Sequence, residues 1–375
     1  MNYRNILVPM LSVALAVGFA DCASACSAVI VGKKVSATGR VIVAHNDDGK
    51  LSLVVRHGMV PAQKGTLGFF WTEFKEPAGG VTPGDTMLNE CGVLVMSNNG
   101  GWNKTWCGCR GTLPDEGVYS SLADGGIGFE LRRTIAEKAH SAREGLDIAT
   151  NLLTKSGYNY PSRIFAISDK DEAWLLEVIL GRRFVARRCP DDEVVAYPNC
   201  LTITGIKPGD VVSGNIEQKR DTFNFTAEYQ GPRTWKSPYN LFRAKNLYKT
   251  VCGVELSEDG DYPFSMKPKA PVNESMIKAA LTSHFEGTPN AVKPHPSRED
   301  ELTGKITVPI CRIGTKESII CSFADNVKDT IMEIATGRPC EVPYITCRPF
   351  GGVVPEDTVR GEEALNRLAN RAKPL

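Results

Sequence analysis

Cys26 is the residue of this 375-residue chain best placed for covalent chemistry. It follows Ala23-Ser24-Ala25, a small-x-small triplet of the kind signal peptidase cleaves. Ahead of that triplet lie Arg4 and an apolar run from Ile6 to Ala20. Cleavage after Ala25 would leave a thiol and a free α-amine on the same residue. An α-amine titrates at about 7.7–8.0, so it can act as general base for its own side chain without a histidine partner. Other signatures of nucleophilic or phosphate chemistry are missing: there is no G-x-S-x-G elbow, no Walker loop and no G-x-G-x-x-G after a strand. Three other readings of the segment compete. Cys26 can be a disulfide cysteine, or the acylated cysteine of a lipoprotein, whose amine would be blocked. Against the lipoprotein stands Ala23, where lipoprotein signals usually carry Leu. A retained membrane anchor is disfavoured by the short apolar run and by Pro9 within it.

Composition narrows the class. Lys plus Arg number 44 and Asp plus Glu 43, with no basic run, which argues against a nucleic-acid partner. No later segment is apolar enough to span a membrane, so the expected product is an exported protein, secreted or periplasmic, with residues 1–25 removed. A homo-oligomer is compatible with the sequence. Of the 12 cysteines, ten remain beyond Cys22 and Cys26, an even set that reads as disulfides in an oxidising compartment. Cys107-Gly-Cys109 lacks zinc-knuckle spacing, the five histidines are scattered, and there is no H-E-x-x-H helix. No metal and no cofactor are expected.

The elements that must position Cys26 begin at once. Ala28 to Gly32 and Arg40 to Ala44 are β-branched runs joined across Ser36-Ala-Thr-Gly39, a hairpin signal. Strands are also expected at 53–56, 66–71 and 92–96. Helices follow over Phe129 to Ala139 and Ala142 to Lys155, with Gly157 as a stop. Strands return at 163–168, 173–180 and 183–188, helices at 239–251 and 274–285, strands at 304–309, 317–323 and 330–335, and a helix at 361–372. Blocks of strands alternating with blocks of helices favour a layered α+β fold with antiparallel sheets over a doubly wound parallel one. One domain over 26–375 is expected.

The ordered segments resemble the dipeptidases of peptidase family C69, N-terminal-nucleophile hydrolases related to penicillin-V and bile-salt acylases. The likeness opens at Cys26-Ser-Ala-Val-Ile-Val-Gly-Lys-Lys-Val-Ser and continues at Gly39-Arg-Val-Ile-Val-Ala-His-Asn-Asp-Asp48 and Leu88-Asn-Glu-Cys-Gly-Val-Leu-Val-Met-Ser-Asn-Asn99. Ile167-Ser-Asp-Lys-Asp-Glu-Ala-Trp-Leu-Leu-Glu177, Pro190-Asp-Asp-Glu-Val-Val-Ala-Tyr-Pro-Asn199, His284-Phe-Glu-Gly-Thr-Pro289 and Thr336-Gly-Arg-Pro-Cys340 extend it over nearly the whole mature chain.

The resemblance implies a four-layer αββα sandwich of two antiparallel sheets. It implies an exported cysteine hydrolase that cleaves the amide bond of a dipeptide through Cys26 and a thioester. Asp48 matches the aspartate that orients amine and thiol, and Asn199 the side-chain oxyanion donor. Asn99 falls where a second donor is expected. Arg233 matches a late arginine of the acylase site, with Arg243 as its rival. His45 stands where the acylases and many dipeptidases carry arginine, which makes the local charge pH-dependent. Two alternatives remain: the same chemistry on an N-acyl amide such as a bile salt or penicillin side chain, and an inactive, disulfide-rich binding protein or lipoprotein on this fold.

Overall fold

The computed structural model describes residues 26–77, 81–101, 127–230, 238–257, 263–297, 300 and 308–371. β1 (Ser27–Val31) and β2 (Ile42–Asp48) form the expected hairpin, with Ser27 opposite Asn46 and Val31 opposite Ile42. β3 (Val54–Val60), β4 (Phe69–Lys75), β5 (Val81–Asn89) and β6 (Leu94–Asn99) follow. Next come α1 (Glu130–Lys138) and α2 (Ala142–Ser156). The Ser141 side chain accepts from the Glu144 N–H at the start of α2, and Gly157 ends it at φ 73°, a backbone state that favours glycine. The chain continues through β7 (Tyr158–Ser168), β8 (Ala173–Gly181), β9 (Arg183–Arg188), β10 (Val194–Tyr197) and β11 (Val211–Val212). α3 (Gly214–Glu217), α4 (Phe225–Tyr229), α5 (Pro238–Cys252) and α6 (Glu274–Leu281) precede β12 (Thr315–Ser322), β13 (Ile331–Ala335) and β14 (Ile345–Cys347). β15 (Val359–Arg360) and α7 (Gly361–Arg371) come last.

Two sheets result. One has the order β10-β1-β2-β12-β13-β14 and the other β11-β9-β8-β7-β6-β5-β4-β3-β15. Strand alternation sorts their side chains into three apolar layers. Ala28, Ile30 and Val43 face Met96, Ile164 and Ala166 across the space between the sheets. Val29, Val31, Ile42 and Ala44 face the other way, against Leu247 of α5 and Ile277 of α6. The outer face of the larger sheet is covered by Ile135 of α1, Leu146 of α2 and Ala364 of α7. The order is therefore αββα. One departure from the expected all-antiparallel pairing occurs at an edge, where β15 lies parallel to β3. Helix α6 stops at Leu281 rather than running to Phe285, because the Asn46 amide takes the Leu281 carbonyl at 2.8 Å and Phe285 adopts φ 64°. The strand expected at 304–309 falls mostly outside the described residues, as do residues 1–25.

Disulfide pairing finds no bonded example among the described residues, where all nine cysteines are free thiols. No described helix is long and apolar enough to cross a membrane.

A charged contact bridges the sheets. His57 on β3 holds Glu317 of β12 through Nε2 at 2.8 Å and Asp357 through Nδ1 at 2.9 Å. Burial alone would lower this imidazole, but the two carboxylates outweigh it and push it up to about 9. Raised above the unfolded 6.5, the group stabilises the fold fully below that pH and loses the contribution as pH rises through about 9. The loss amounts to at most about 3 kcal/mol. His57→Gln should therefore lower the melting temperature at about pH 6 and leave it nearly unchanged at about pH 10. Equal losses at both values would contradict the assignment.

Candidate active site

Pleat alternation decides what meets the thiol. Cys26 immediately precedes β1, in step with Ala28 and Ile30, and is fully buried. On β2, His45 and Asp47 are in step with Val43 and face the same side. The Cys26 thiol lies 3.7 Å from Asp47 Oδ1, and Asp47 Oδ2 accepts the Asp85 N–H at 3.2 Å. Ligand-type atoms of Cys26, His45 and Asp85 all fall within 4.8 Å of one another. His45 Nε2 is buried with no hydrogen-bond partner among the described residues.

Three anionic or potentially anionic groups in one buried volume demand compensation. Arg132 of α1 and Arg163 of β7 both bond the Asp85 carboxylate, and Ser97 Oγ donates to it at 2.7 Å. Burial draws Asp85 upward, yet Arg163, Arg132 and His45 hold it below its ordinary value. Asp47 has no such cation of its own. Burial, then Asp85 and the Cys26 thiol, push its carboxyl well above the usual range. Asp47 is thus the group disposed to be protonated, and Asp85 the one disposed to stay ionised. The Cys26, His45 and Asp85 trio has metal-ligand types, but the Asp85 carboxylate is already engaged by two guanidinium groups, which makes it a poor donor to a cation.

Behind the thiol lies Arg243 of α5, fully buried. Its Nη1 donates to the Cys26 carbonyl at 2.9 Å and to Asn199 Oδ1 at 3.3 Å, and its Nη2 to Asn199 Oδ1 at 3.2 Å and Asn240 Oδ1 at 2.6 Å. The Asn240 amide in turn holds the Asn199 carbonyl at 3.2 Å. With Oδ1 fixed by arginine, the Asn199 amide can be oriented only one way. One N–H of its Nδ2 goes to the Asn99 carbonyl at 2.9 Å, and the second remains to meet an oxyanion. The Asn99 side chain accepts the Gly101 N–H at 2.9 Å. Gly101 itself sits at φ 78°, and a Cβ there would lie 2.5 Å from the Asn199 carbonyl oxygen. Only glycine lets the two loops approach this closely.

The structure thus gathers Cys26, His45, Asn99 and Asn199. Asp48 points to the opposite face of β2, buried, with its carboxylate 3.9 Å from the Arg312 guanidinium. Asp47 rather than Asp48 is the carboxylate beside the thiol, because the pleat carries alternate residues to opposite faces. Arg233 lies outside the described residues, and its rival Arg243 is the arginine joined to Cys26. Asp85, Arg132 and Arg163 carried no motif in the sequence. Asp47 had a usable signal, its phase with Val43.

Comparison with known proteins then decides the lineage. Residues 117–336, more than half of the chain, match the model of peptidase family C69. The chain belongs to peptidase family C69. A probable dipeptidase B from Lactococcus lactis is 26% identical over 338 residues, covering 82% of this chain and 70% of that one. A probable dipeptidase A from Streptococcus pyogenes serotype M18 is 25% identical over 353 residues, covering 87% and 74%. Among solved structures, a conjugated bile acid hydrolase from Clostridium perfringens covers 89% of this chain and 98% of its own, at 10% identity and a TM-score of 0.32, and no residue role is taken from it. The C69 match includes Arg132, Arg163, Asn199 and Arg243 but begins beyond the hairpin that follows Cys26.

Arg243→Met in this C69 peptidase removes the donor from three buried oxygens, at roughly 1–3 kcal/mol each. Its kcat/KM should fall by about 100-fold or more, with a lower melting temperature. Wild-type kcat/KM in the folded variant would show that Arg243 does not organise the site.

Proposed function

We propose that this C69 peptidase is an exported cysteine dipeptidase in which Cys26, once N-terminal, supplies both nucleophile and base. The observation that carries the reading is the junction at Cys26: its thiol beside Asp47 and its carbonyl joined through Arg243 to the Asn199 amide. The names of the curated relatives, all dipeptidases, direct the substrate class.

In the proposed reaction the α-amine takes the thiol proton and Sγ attacks the amide carbon. The carbonyl electrons move onto oxygen, where the second Asn199 N–H donates to them. Collapse of this intermediate breaks the C–N bond, and the α-ammonium protonates the departing amine. Water, deprotonated by the same α-amine, then attacks the thioester, releasing the acid and restoring the thiol. A protonated Asp47 adds no negative charge against the forming thiolate, whereas an ionised one would raise its pKa. The cut after Ala25 would remove the export segment and uncover the amine in one event, so protein retaining residues 1–25 should be inactive.

A panel of free dipeptides, N-acylated dipeptides, a glycine-conjugated bile salt and penicillin V tests the substrate class. Free-amine dipeptides should be hydrolysed, and Cys26→Ser should lose about 10³-fold or more of that turnover. Cleavage confined to the acylated compounds would make the protein an acylase, and unchanged turnover in Cys26→Ser would rule out the mechanism.

A further inference from the structure

A second cluster lies away from the inter-sheet space, outside the smaller sheet. His284 follows α6, His295 lies on the loop beyond it, Cys311 precedes β12, and Cys340 sits on the turn after β13. One nitrogen or sulfur from each of the four falls within 4.8 Å of all the others. His295 Nε2 stands 3.1 Å from Cys340 Sγ and 3.8 Å from Cys311 Sγ, and the two sulfurs are 3.4 Å apart. In tetrahedral zinc, with Zn–S near 2.3 Å and Zn–N near 2.0–2.1 Å, ligand atoms stand about 3.3–3.8 Å apart.

The imidazoles are also oriented as ligands. His284 Nδ1 pairs with Glu286 Oε1 at 2.9 Å and His295 Nδ1 with Glu341 Oε1 at 2.8 Å. A carboxylate on one ring nitrogen fixes the tautomer and turns the other nitrogen toward a metal. His284 Nε2 is buried and has no hydrogen-bond partner among the described residues, which is costly unless something binds it.

We propose that His284, His295, Cys311 and Cys340 bind one zinc ion in a closed four-coordinate site. Two thiolates and two neutral imidazoles suit zinc and exclude calcium and magnesium, which take oxygen ligands. With no open coordination position, the site is structural rather than catalytic. Its mechanical role follows from its neighbours. The carbonyl of Ile310 accepts from the Asn46 amide at 3.1 Å, and Arg312 lies beside Asp48. Cys311 stands between them, so the ion would brace the outer side of β2, whose inner side carries His45 and Asp47. A Cys311–Cys340 disulfide is the rival. Its sulfurs would have to close to about 2.05 Å, and it would leave His284 Nε2 unpartnered.

The test uses the full chain, dialysed free of loosely held metal and titrated with Zn²⁺ alone, then with Co²⁺ in parallel. About one zinc per chain should remain bound by mass spectrometric metal analysis. Cobalt should show the visible bands of a tetrahedral thiolate site. Cys340→Ser and His295→Asn should each lose the bound zinc, while Cys26→Ala keeps it, which separates this site from the active-site thiol. Removing zinc with a chelator should lower the melting temperature of wild type but not of Cys340→Ser. Absence of stoichiometric zinc, zinc retained in both ligand variants, cobalt without thiolate bands, or a Cys311–Cys340 disulfide in peptide maps of the native protein would each overturn the proposal.

Discussion

The active site depends on one buried guanidinium. Arg243 has no access to solvent, so its N–H donors must all be answered from within. They are answered by the Cys26 carbonyl, by Asn199 and by Asn240, which come from the start of β1, the loop after β10 and α5 itself. A helix on the outer face of the smaller sheet thereby fixes the distance between the nucleophile's backbone and an amide donor. Because arginine donates and never accepts, it also dictates that the Asn199 oxygen turns toward it and the NH₂ away. Preorganisation of this kind costs nothing at the moment of reaction, which is why it is effective against developing charge.

The second constraint is charge balance across the sheets. Asp47 and Asp85 approach the thiol from different sheets, and two ionised carboxylates there would be prohibitive. Arg132 and Arg163 settle the matter by binding Asp85 alone. The proton burden falls on Asp47, and His57 keeps Glu317, a further carboxylate near Asp47, paired with a cation. The same contact pins β3 to β12, so packing of the sandwich and electrostatics of the site share one residue.

Much of the architecture was legible because periodicity and caps are local. The β1–β2 hairpin, α1, α2 with Ser141 and Gly157, and β7 to β9 all announce themselves by pattern. β5 did not. Pro83 and Gly84 interrupt it, and the pairing with β4 shifts register there, where Gly84 packs against Thr72 too closely for any Cβ. β15 is two residues long and carries no signal at all. The site was harder to read. Motif matching favours the second aspartate of Asp47-Asp48, whereas the pleat brings the first to the thiol. Arg132, Arg163 and Asp85 meet only through tertiary packing, and the His284, His295, Cys311 and Cys340 cluster draws on four separate segments, so no zinc-like spacing appears.

Everything proposed for catalysis requires that the α-amine of Cys26 be free and adjacent to its own thiol. Intact-mass measurement and N-terminal sequencing of the active protein address that requirement directly. The account predicts a chain that begins with unmodified Cys26. Active protein that starts at any other residue, or carries an acylated Cys26, would contradict it.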